Sequence, residues 1–365
     1  MNLLRQLSAL ATLLHQAAAL APRLRQLPTL ALLATVAACG EGGSGGGSAA
    51  GGQITIASNP AGTHVYAVAA GLAKTLQESL GRRATILPLT GSSVYLPMLE
   101  RGEVELGLNT SIDGYLSYRG LPPYEAPMRN LRTLGMMFPL DIMFMVRADS
   151  DLVRVEDLRG RRVVVTFRAN VALEQLHRGI LATGGLGVDD IDAMTVAGVP
   201  QAVAALQEGR ADAVPIGLGT ALGLQADAAL PGGTRYLTMG ANEARLFEIM
   251  PGTRIVTVGP QSGMAGIDEA IRVSSVPDML NTGVHVSDDD AYAMIRAIHE
   301  RWEGLRAELP QLERMTATDL APADNMHPYH PGAVRYYREI GLWTEAHEAN
   351  QAALLALADA APGAP

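Results

Sequence analysis

The sequence predicts an α/β protein built as two similar lobes, and three observations support that fold class. From Gln53 onward, short runs of β-branched residues alternate with helical segments, which is the pattern of a largely parallel sheet. A βαβαβ unit at 54–108 has a fainter copy roughly 107 residues later. Leu134–Val146 is almost continuously apolar but is interrupted by Pro139 and Asp141, so we expect strands that pass between lobes rather than a membrane helix.

The first unit is marked by turn residues that follow each apolar run. Gly81 and Gly102 stand where two helices end, because glycine adopts the left-handed conformation of a helix C-terminus without strain. Ser92 or Ser93 caps the second of these helices. In order, the predicted elements are strand Ile54–Ile56, a turn at 58–63, helix His64–Leu80, strand Ala84–Leu89, a helix through Glu100 and strand Val104–Leu108.

The second unit repeats this order with different residues. The best local match aligns 99–105 with 206–212, and each segment contains a helix end, a glycine and a strand that opens on a carboxylate. Two similarly built lobes account for this match, and independent convergence on a common βα pattern is the alternative. The predicted elements are strand Val163–Val165, a turn at 166–170, helix Val171–Thr183, strand Ala193–Val196, helix Gln201–Glu208 and strand Ala211–Ile216.

A helical C-terminal tail follows a return crossing that we expect within 254–276. Ser287 begins a helix, and the three aspartates after it lie at the positive end of the helix dipole. These elements predict a first lobe at 53–142 and 265–350, a second lobe at 143–264 and a C-terminal tail at 351–365.

The region before the first strand is similar to a bacterial secretion signal. The apolar run Pro28–Ala38 is too short to span a bilayer and follows two arginines. It ends at Cys39, and residues 36–39 resemble a lipobox, which implies that Cys39 is lipidated and becomes the mature N-terminus. An ordinary signal peptide with a chance cysteine is the alternative. We therefore expect a lipoprotein-type signal peptide at 1–38 and a flexible Gly/Ser tether at 39–52.

Composition limits the partners that this chain can bind. Removal of the three arginines in 1–38 would take the formal net charge from −9 to −12, which argues against nucleic acid as a partner. Cys39 is the only cysteine, so neither a disulfide nor a thiolate metal site is predicted.

A search for enzyme chemistry finds no complete set of catalytic groups. The nucleophile-elbow pattern at 42–46 lies in the tether, without a strand before it or a helix after it. His327 and His330 have no third metal ligand nearby. His64 and His177 lie near predicted helix starts, where a ligand contact competes with a surface or capping role. We predict that the protein is not an enzyme and uses no metal or cofactor.

Polar residues at the ends of the predicted strands are the candidate binding site. Because helix N-termini present unpaired N–H groups and positive potential, they favour small anions. The alternative is that each hydroxyl is only a helix cap. The residues predicted to bind ligand in the first lobe are Asn59, Gly62, Thr63, Tyr66, Ser92, Ser93, Asn109 and Ser111.

With these residues, the chain resembles a TAXI-type solute receptor of a TRAP transporter over nearly all of 53–343. The motifs that carry the resemblance are Gly62–Thr63 with Tyr66, Gly91–Ser92–Ser93, 99–107, 157–163, 205–213 and 330–341. The resemblance implies a two-lobed, type II periplasmic-binding-protein-like fold. It also implies binding of a small organic acid or amino acid, often glutamate-like, which is passed to an ion-coupled membrane permease.

One departure from the family falls in the second lobe. Where family members usually have a Gly- and Ser-rich turn, this chain has Thr166–Phe167–Arg168–Ala169–Asn170. Thr166, Arg168 and Asn170 are the candidate ligand residues here. Arg168 either pairs with a ligand carboxylate at two points, or faces solvent or binds Glu174. Arg254 is a weaker candidate of the same kind.

These inferences predict a periplasmic receptor that contacts the membrane only through a lipid anchor and works with TRAP permease subunits. A receptor for an ABC importer of thiamine precursors or sulfonates is one alternative, although an aromatic content of 4% disfavours stacking on a pyrimidine. A ligand sensor that signals to a membrane kinase is another.

Overall fold

The first lobe is built around three parallel strands. The computed structural model describes residues 52–261 and 263–359, so the predicted signal peptide, nearly all of the tether and Cys39 lie outside the described residues. β1 pairs with both β2 and β3, and Ile54 and Ile56 of β1 are fully buried. The elements are β1 (Ile54–Ser58), α1 (His64–Leu80), β2 (Ala84–Pro88), α2 (Ser92–Arg101), β3 (Leu106–Thr110) and α3 (Ser111–Arg119).

Helix boundaries in this lobe follow the predicted caps. The Thr63 hydroxyl accepts a hydrogen bond from the Tyr66 amide at the start of α1, and Gly81 ends that helix with φ 63°. β3 begins two residues later than predicted, because the residues after Gly102 form a bend and Val104 is buried within it.

The second lobe repeats the arrangement. β5 lies between β6 and β7 and is parallel to both, as β1 lies between β2 and β3. The predicted pair of similarly built units is therefore confirmed. The elements are β5 (Arg162–Phe167), α4 (Leu173–Thr183), β6 (Asp192–Val196), α5 (Val199–Gln207), β7 (Ala213–Gly217), α6 (Ala221–Ala229), β8 (Thr234–Tyr236), α7 (Ala244–Ile249) and β9 (Arg254–Val258).

Two long antiparallel strands join the lobes. β4 (Leu131–Arg147) contains the apolar run that we expected to cross, and β10 (Ile271–Gly283) returns beside it. β10 pairs with β3 of the first lobe and β9 of the second, and β4 pairs with β7 and β8 of the second lobe. The result is a single mixed sheet in the order β2-β1-β3-β10-β4-β7-β5-β6. Near the middle of the crossing, Pro139 lies opposite Pro277, and neither has a backbone N–H to donate.

We place the lobe boundaries at this pair of prolines. The residues Ile271–Ser275 pair with β9 of the second lobe, so the proposed boundary at 265 moves to about Pro277. The boundary at 142 lies close to Pro139 and needs little change.

The C-terminal helices cover the first lobe. Ser287 caps α8 (Asp288–Glu300) by accepting from the Asp290 amide, as predicted. α9 (Trp302–Glu308), α10 (Pro331–Glu339) and α11 (Glu345–Asp359) follow, and the predicted tail boundary at 350 falls inside α11. Tyr118 of α3 donates its hydroxyl to the carbonyl of Leu354 at 3.2 Å, which fixes α11 to the lobe.

Among the described helices, none is both long and apolar enough to cross a membrane. The apolar side chains of both lobes instead form one contiguous core around the sheet.

Burial on the central strands should dominate stability. We expect Ile56→Ala to lower the free energy of unfolding by about 2–5 kcal/mol, because Ile56 is fully buried between two strands and its removal leaves a cavity. The matched control is Ile255→Ala on edge strand β9, where the side chain is only half-buried and the loss should be clearly smaller. Urea denaturation of the two variants checks this, and equal losses would contradict it.

Candidate functional site

A small cavity of about 50 Å³ lies between the two lobes. Its walls come from the ends of β1 and α1 in the first lobe, from the crossing strand β4, and from β5, α4 and β7 in the second lobe. Ligand sites in open α/β sheets lie at these carboxyl ends of strands. The lining residues are Asn59, Thr63, His64, Val65, Leu140, Ile142, Phe167, Asn170, Leu173, His177, Val199, Pro215, Ile216, Gly217 and Thr220.

The lobes are held together above this cavity by hydrogen bonds at the start of α2. The Ser93 amide donates to the Ala169 carbonyl at 3.1 Å, and the Ser93 hydroxyl accepts from the Val171 amide at 3.0 Å. The Asn170 side-chain amide donates to the Ser92 hydroxyl at 3.2 Å. The turn at 166–170, which departs from the family pattern, therefore docks onto the first lobe through its backbone and Asn170.

Gly91 makes this approach possible. Its backbone is extended, with φ 168°, a conformation open to any residue. A Cβ at this position would nevertheless lie far inside contact distance of the Ala169 carbonyl oxygen and the Asn170 side-chain oxygen. The requirement for glycine is thus set by the opposite lobe and not by the local backbone.

A second set of contacts closes the other side of the cavity. Nε2 of His64 lies 2.7 Å from the Leu218 carbonyl oxygen, and the Leu222 amide donates to the Gly62 carbonyl at 3.3 Å. Gly62 has φ 89°, and a Cβ there would lie 2.9 Å from Cγ of Leu222. Burial lowers the pKa of His64, so its ring is neutral near neutral pH.

Two buried carboxyl groups lie behind Ser92. Asp113 accepts hydrogen bonds from the hydroxyls of Ser92 at 2.9 Å, Thr110 at 2.7 Å and Tyr124 at 2.9 Å. Asp278 of β10 is fully buried, and neither of its carboxyl oxygens has a hydrogen-bond partner among the described residues. Burial, and then the charge of Asp113, raise the pKa of Asp278 well above its usual range. Of these two carboxyl groups, Asp113 is the one that holds Ser92, the residue that Asn170 contacts.

His177 is fully buried in the second lobe and lines the cavity, so its ring is neither on the surface nor a helix cap. Nδ1 lies 2.6 Å from the Val165 carbonyl oxygen, and the ring packs edge-on against Phe167 with centroids 5.3 Å apart. Burial lowers the pKa of His177 to about 4.

The structure brings together about half of the predicted ligand residues. Asn59, Thr63 and Asn170 line the cavity. Gly62, Ser92 and Ser93 form the contacts between the lobes described above. The Thr63 hydroxyl is used as a helix cap, in agreement with the alternative that we left open for the hydroxyl residues.

The other predicted residues lie elsewhere. Tyr66 is half-buried on α1 outside the lining, and the Asn109 side-chain oxygen accepts from the side chain of Asn281. Ser111 lies beside a separate surface pocket with Arg254, which is 63% exposed and 3.9 Å from Asp324. Their ligand roles stay predictions.

Arg168 is exposed and does not line the cavity. The carboxylate of Glu174, which we considered as its partner, instead accepts from the Thr166 hydroxyl at 2.7 Å and from Arg178 at 2.8 Å. The Arg168 guanidinium thus stands on the solvent side of the turn that docks onto α2.

Sequence reasoning missed two features of the site. The sequence does not suggest that Asp113 and Asp278 lie close together, because each is the only acidic residue of its element. The position of Asp278 in a strand rich in apolar residues could still have predicted a buried carboxyl group. The burial of His177 is signalled by its place on the apolar face of α4, with Leu173, Leu176 and Ile180. Within the described residues, no group of three His, Cys, Asp or Glu side chains could hold a metal ion.

The geometry of the two lobes agrees with comparisons to known proteins. The sequence pattern of the NMT1-like family matches residues 56–341. The chain belongs to the NMT1-like family. The match covers both lobes and the crossing strands of this NMT1-like protein, and it does not identify the chain as a TAXI receptor.

Solved structures similar to this NMT1-like protein share its two-lobed fold. One described as a periplasmic transporter has a TM-score of 0.51 at 12% identity, with 82% of this chain and 95% of that chain covered. An ancestral arginine-binding protein bound to glutamine gives 0.47 at 13% identity, with 71% and 96% covered. The aliphatic sulphonate binding protein SsuA from Escherichia coli gives 0.42 at 14% identity, with 82% and 91% covered.

The predicted periplasmic-binding-protein-like fold is confirmed by the similarity to the periplasmic transporter, whose TM-score is 0.51, and by the sheet topology. At such low identity this similarity shows the fold and says nothing about the solute.

Substitution of Gly91 should separate the lobes without unfolding either one. In Gly91→Ala the added methyl group meets the opposite backbone, and overpacking of about 1–3 kcal/mol shifts the balance between closed and open forms by about 5- to 150-fold. Small-angle scattering should show a larger radius of gyration than in wild type. Gly259→Ala is the matched control, since a Cβ there has no neighbour within 4 Å. A compact Gly91→Ala protein would contradict the role given to this contact.

Acid should destabilise the fold through His177. Because its pKa is 6.5 when unfolded and about 4 when folded, the unfolded chain binds more protons between these values, and stability falls as the pH falls from 6.5 to 4. The full difference is about 3 kcal/mol. His177→Asn removes the group that takes up this proton. The difference in unfolding free energy between variant and wild type should therefore narrow as the pH falls from 6.5 to 4. Urea denaturation at several pH values measures it, and parallel pH curves would rule it out.

Proposed function

We propose that this protein is an extracytoplasmic solute receptor that closes two lobes around a small organic solute and delivers it to a membrane permease. The observation that carries the proposal is the cavity between the lobes, whose lining comes from both lobes and from the strand that joins them. In the closed form the two lobes present a joint surface, and a permease can use this surface to distinguish the closed form from the open one.

Closure is the proposed mechanism, and it needs no chemical step. In the open form the solute meets the ends of β1 and α1, and on closing the turn at 166–170 docks onto α2 through Ser92 and Ser93. Pro139 and Pro277, which lie opposite each other in the crossing strands, are the proposed hinge. The solute stabilises the closed form only by its greater affinity for that form.

The proposed solute is a small organic anion such as an amino acid or carboxylate, a class that includes glutamate-like compounds. The N-termini of α1 and α2 face the contact between the lobes and favour negative charge at its rim. Arg168, exposed on the turn at 166–170, is the group proposed to pair with a carboxylate there.

The proposed partner is a TRAP-type permease, on the strength of the TAXI motifs. An ABC importer is the second candidate, because two-lobed receptors serve both kinds of permease. The proposed location is the periplasm, with lipidated Cys39 as the anchor; mass spectrometry of the protein from membranes would find an acylated N-terminal cysteine, and an unmodified one would refute the anchor.

A thermal-shift screen tests the proposal. The panel contains dicarboxylates, amino acids, keto acids, sulfonates and pyrimidines, and a ligand at 100 times its dissociation constant should add about 2.7 kcal/mol to stability. Carboxylate binding supports the TRAP receptor, whereas binding of only sulfonates or pyrimidines favours the ABC receptor. Silence across the panel would refute solute binding.

Variants show whether a stabilising solute uses the cavity between the lobes. Its stabilising effect should be lost in Gly91→Ala and kept in Gly259→Ala. Arg168→Ala should weaken a carboxylate at least several-fold, while Arg210→Ala, an exposed arginine paired with Glu208, should not. Unchanged affinity in Arg168→Ala would remove the carboxylate role from that residue.

A further inference from the structure

His177 lines the cavity, and its ring has a hydrogen-bond acceptor that no described residue uses. Because the Val165 carbonyl oxygen can only accept, Nδ1 of His177 carries the ring proton that it donates at 2.6 Å. Nε2 is therefore a lone-pair acceptor. It is buried and has no hydrogen-bond partner among the described residues.

The other polar side chains that line the cavity make hydrogen bonds with described residues, and the Asn59 side-chain oxygen accepts from the Tyr95 hydroxyl at 3.4 Å. The hydroxyls of Thr63 and Thr220 cap α1 and α6. The ring of His64 binds a carbonyl of the opposite lobe, and the side-chain amide of Asn170 donates to Ser92. Nε2 of His177 is thus a buried acceptor without a partner, and a hydrogen-bond donor from a solute would remove the free-energy cost of leaving it unpaired.

The surroundings of this nitrogen limit the kind of donor. Among the described residues that line the cavity there is no Lys, Arg, Asp or Glu, and the lining includes apolar side chains such as Phe167, Leu173 and Ile216. An ammonium or carboxylate in contact with these side chains would lose its hydration without gaining an opposite charge. A hydroxyl has no such cost once its proton is accepted.

We infer, on the basis of the proposed function, that the solute buries an alcohol hydroxyl on a short apolar stem against Nε2 of His177 and keeps any carboxylate at the rim. Burial keeps the ring neutral, with a pKa of about 4, so the acceptor is available near neutral pH. The solute class is therefore a short-chain hydroxy compound, with hydroxy acids first among organic anions.

Four probes of equal carbon number test this inference by calorimetry on the mature chain: butanoate, 4-hydroxybutanoate, 4-aminobutanoate and succinate. They differ only in the group opposite the first carboxylate. We expect 4-hydroxybutanoate to bind roughly 2- to 10-fold more tightly than butanoate, which is the range of one neutral hydrogen bond. 4-Aminobutanoate, with its ammonium, and succinate, with its second carboxylate, should both bind more weakly than 4-hydroxybutanoate.

Two substitutions leave no acceptor at the position of Nε2, because asparagine carries its acceptor oxygen on a shorter side chain and phenylalanine has no acceptor. In His177→Asn the side-chain amide can still donate to the Val165 carbonyl, and in His177→Phe the ring volume beside Phe167 is kept. Both should bring the preference for hydroxybutanoate over butanoate to about one. Arg168→Ala should leave that preference intact. In wild type, the ¹⁵N resonance of Nε2 should move with 4-hydroxybutanoate and not with butanoate.

The outcomes separate this inference from the proposed function. Equal affinity for butanoate and 4-hydroxybutanoate, tightest binding of succinate or 4-aminobutanoate, or a preference that survives in both His177 variants would overturn the inference and leave a solute receptor. Binding of another class from the wider panel with no response to the four probes would also overturn it. No binding of any solute would overturn the proposed function itself.

Discussion

Contact between the two lobes depends on one missing side chain. At Gly91 the backbone of the first lobe comes so near to Ala169 and Asn170 that even a methyl group cannot be placed there. The hydrogen bonds of Ser92 and Ser93, and the small size of the cavity below them, all follow from that approach. Glycine is therefore required at position 91 because Ala169 and Asn170, which are distant in the sequence, lie against it, and not because its backbone torsions are unusual.

Neutral polar groups, and not ion pairs, surround the cavity. Burial lowers the pKa of His64 and of His177, so both rings are neutral hydrogen-bonding groups near neutral pH. The ion pairs of this protein instead lie mainly at the surface, where arginines meet acids in exposed positions such as Arg101–Glu103. We therefore expect the choice of solute to depend on which groups of the cavity donate hydrogen bonds and which accept them.

The sequence predicted the fold well because its signals are local. Gly81 and Gly102 end helices, Ser287 begins one, and alternating β-branched runs give the parallel strands of both lobes. The site was predicted less completely, since strand ends indicate only an edge of the sheet. Which side chains turn inward there depends on packing between lobes, as the buried His177 and exposed Arg168 show.

The proline pair at the centre of the crossing strands has a further consequence. At the Pro139–Pro277 pair neither residue has a backbone N–H to donate. Rotation of the lobes about this pair would therefore break no hydrogen bond donated by either proline. The strength with which a solute is retained can then change through residues at the outer edges of the lobes while the chemistry of the cavity, and so the choice of solute, stays the same.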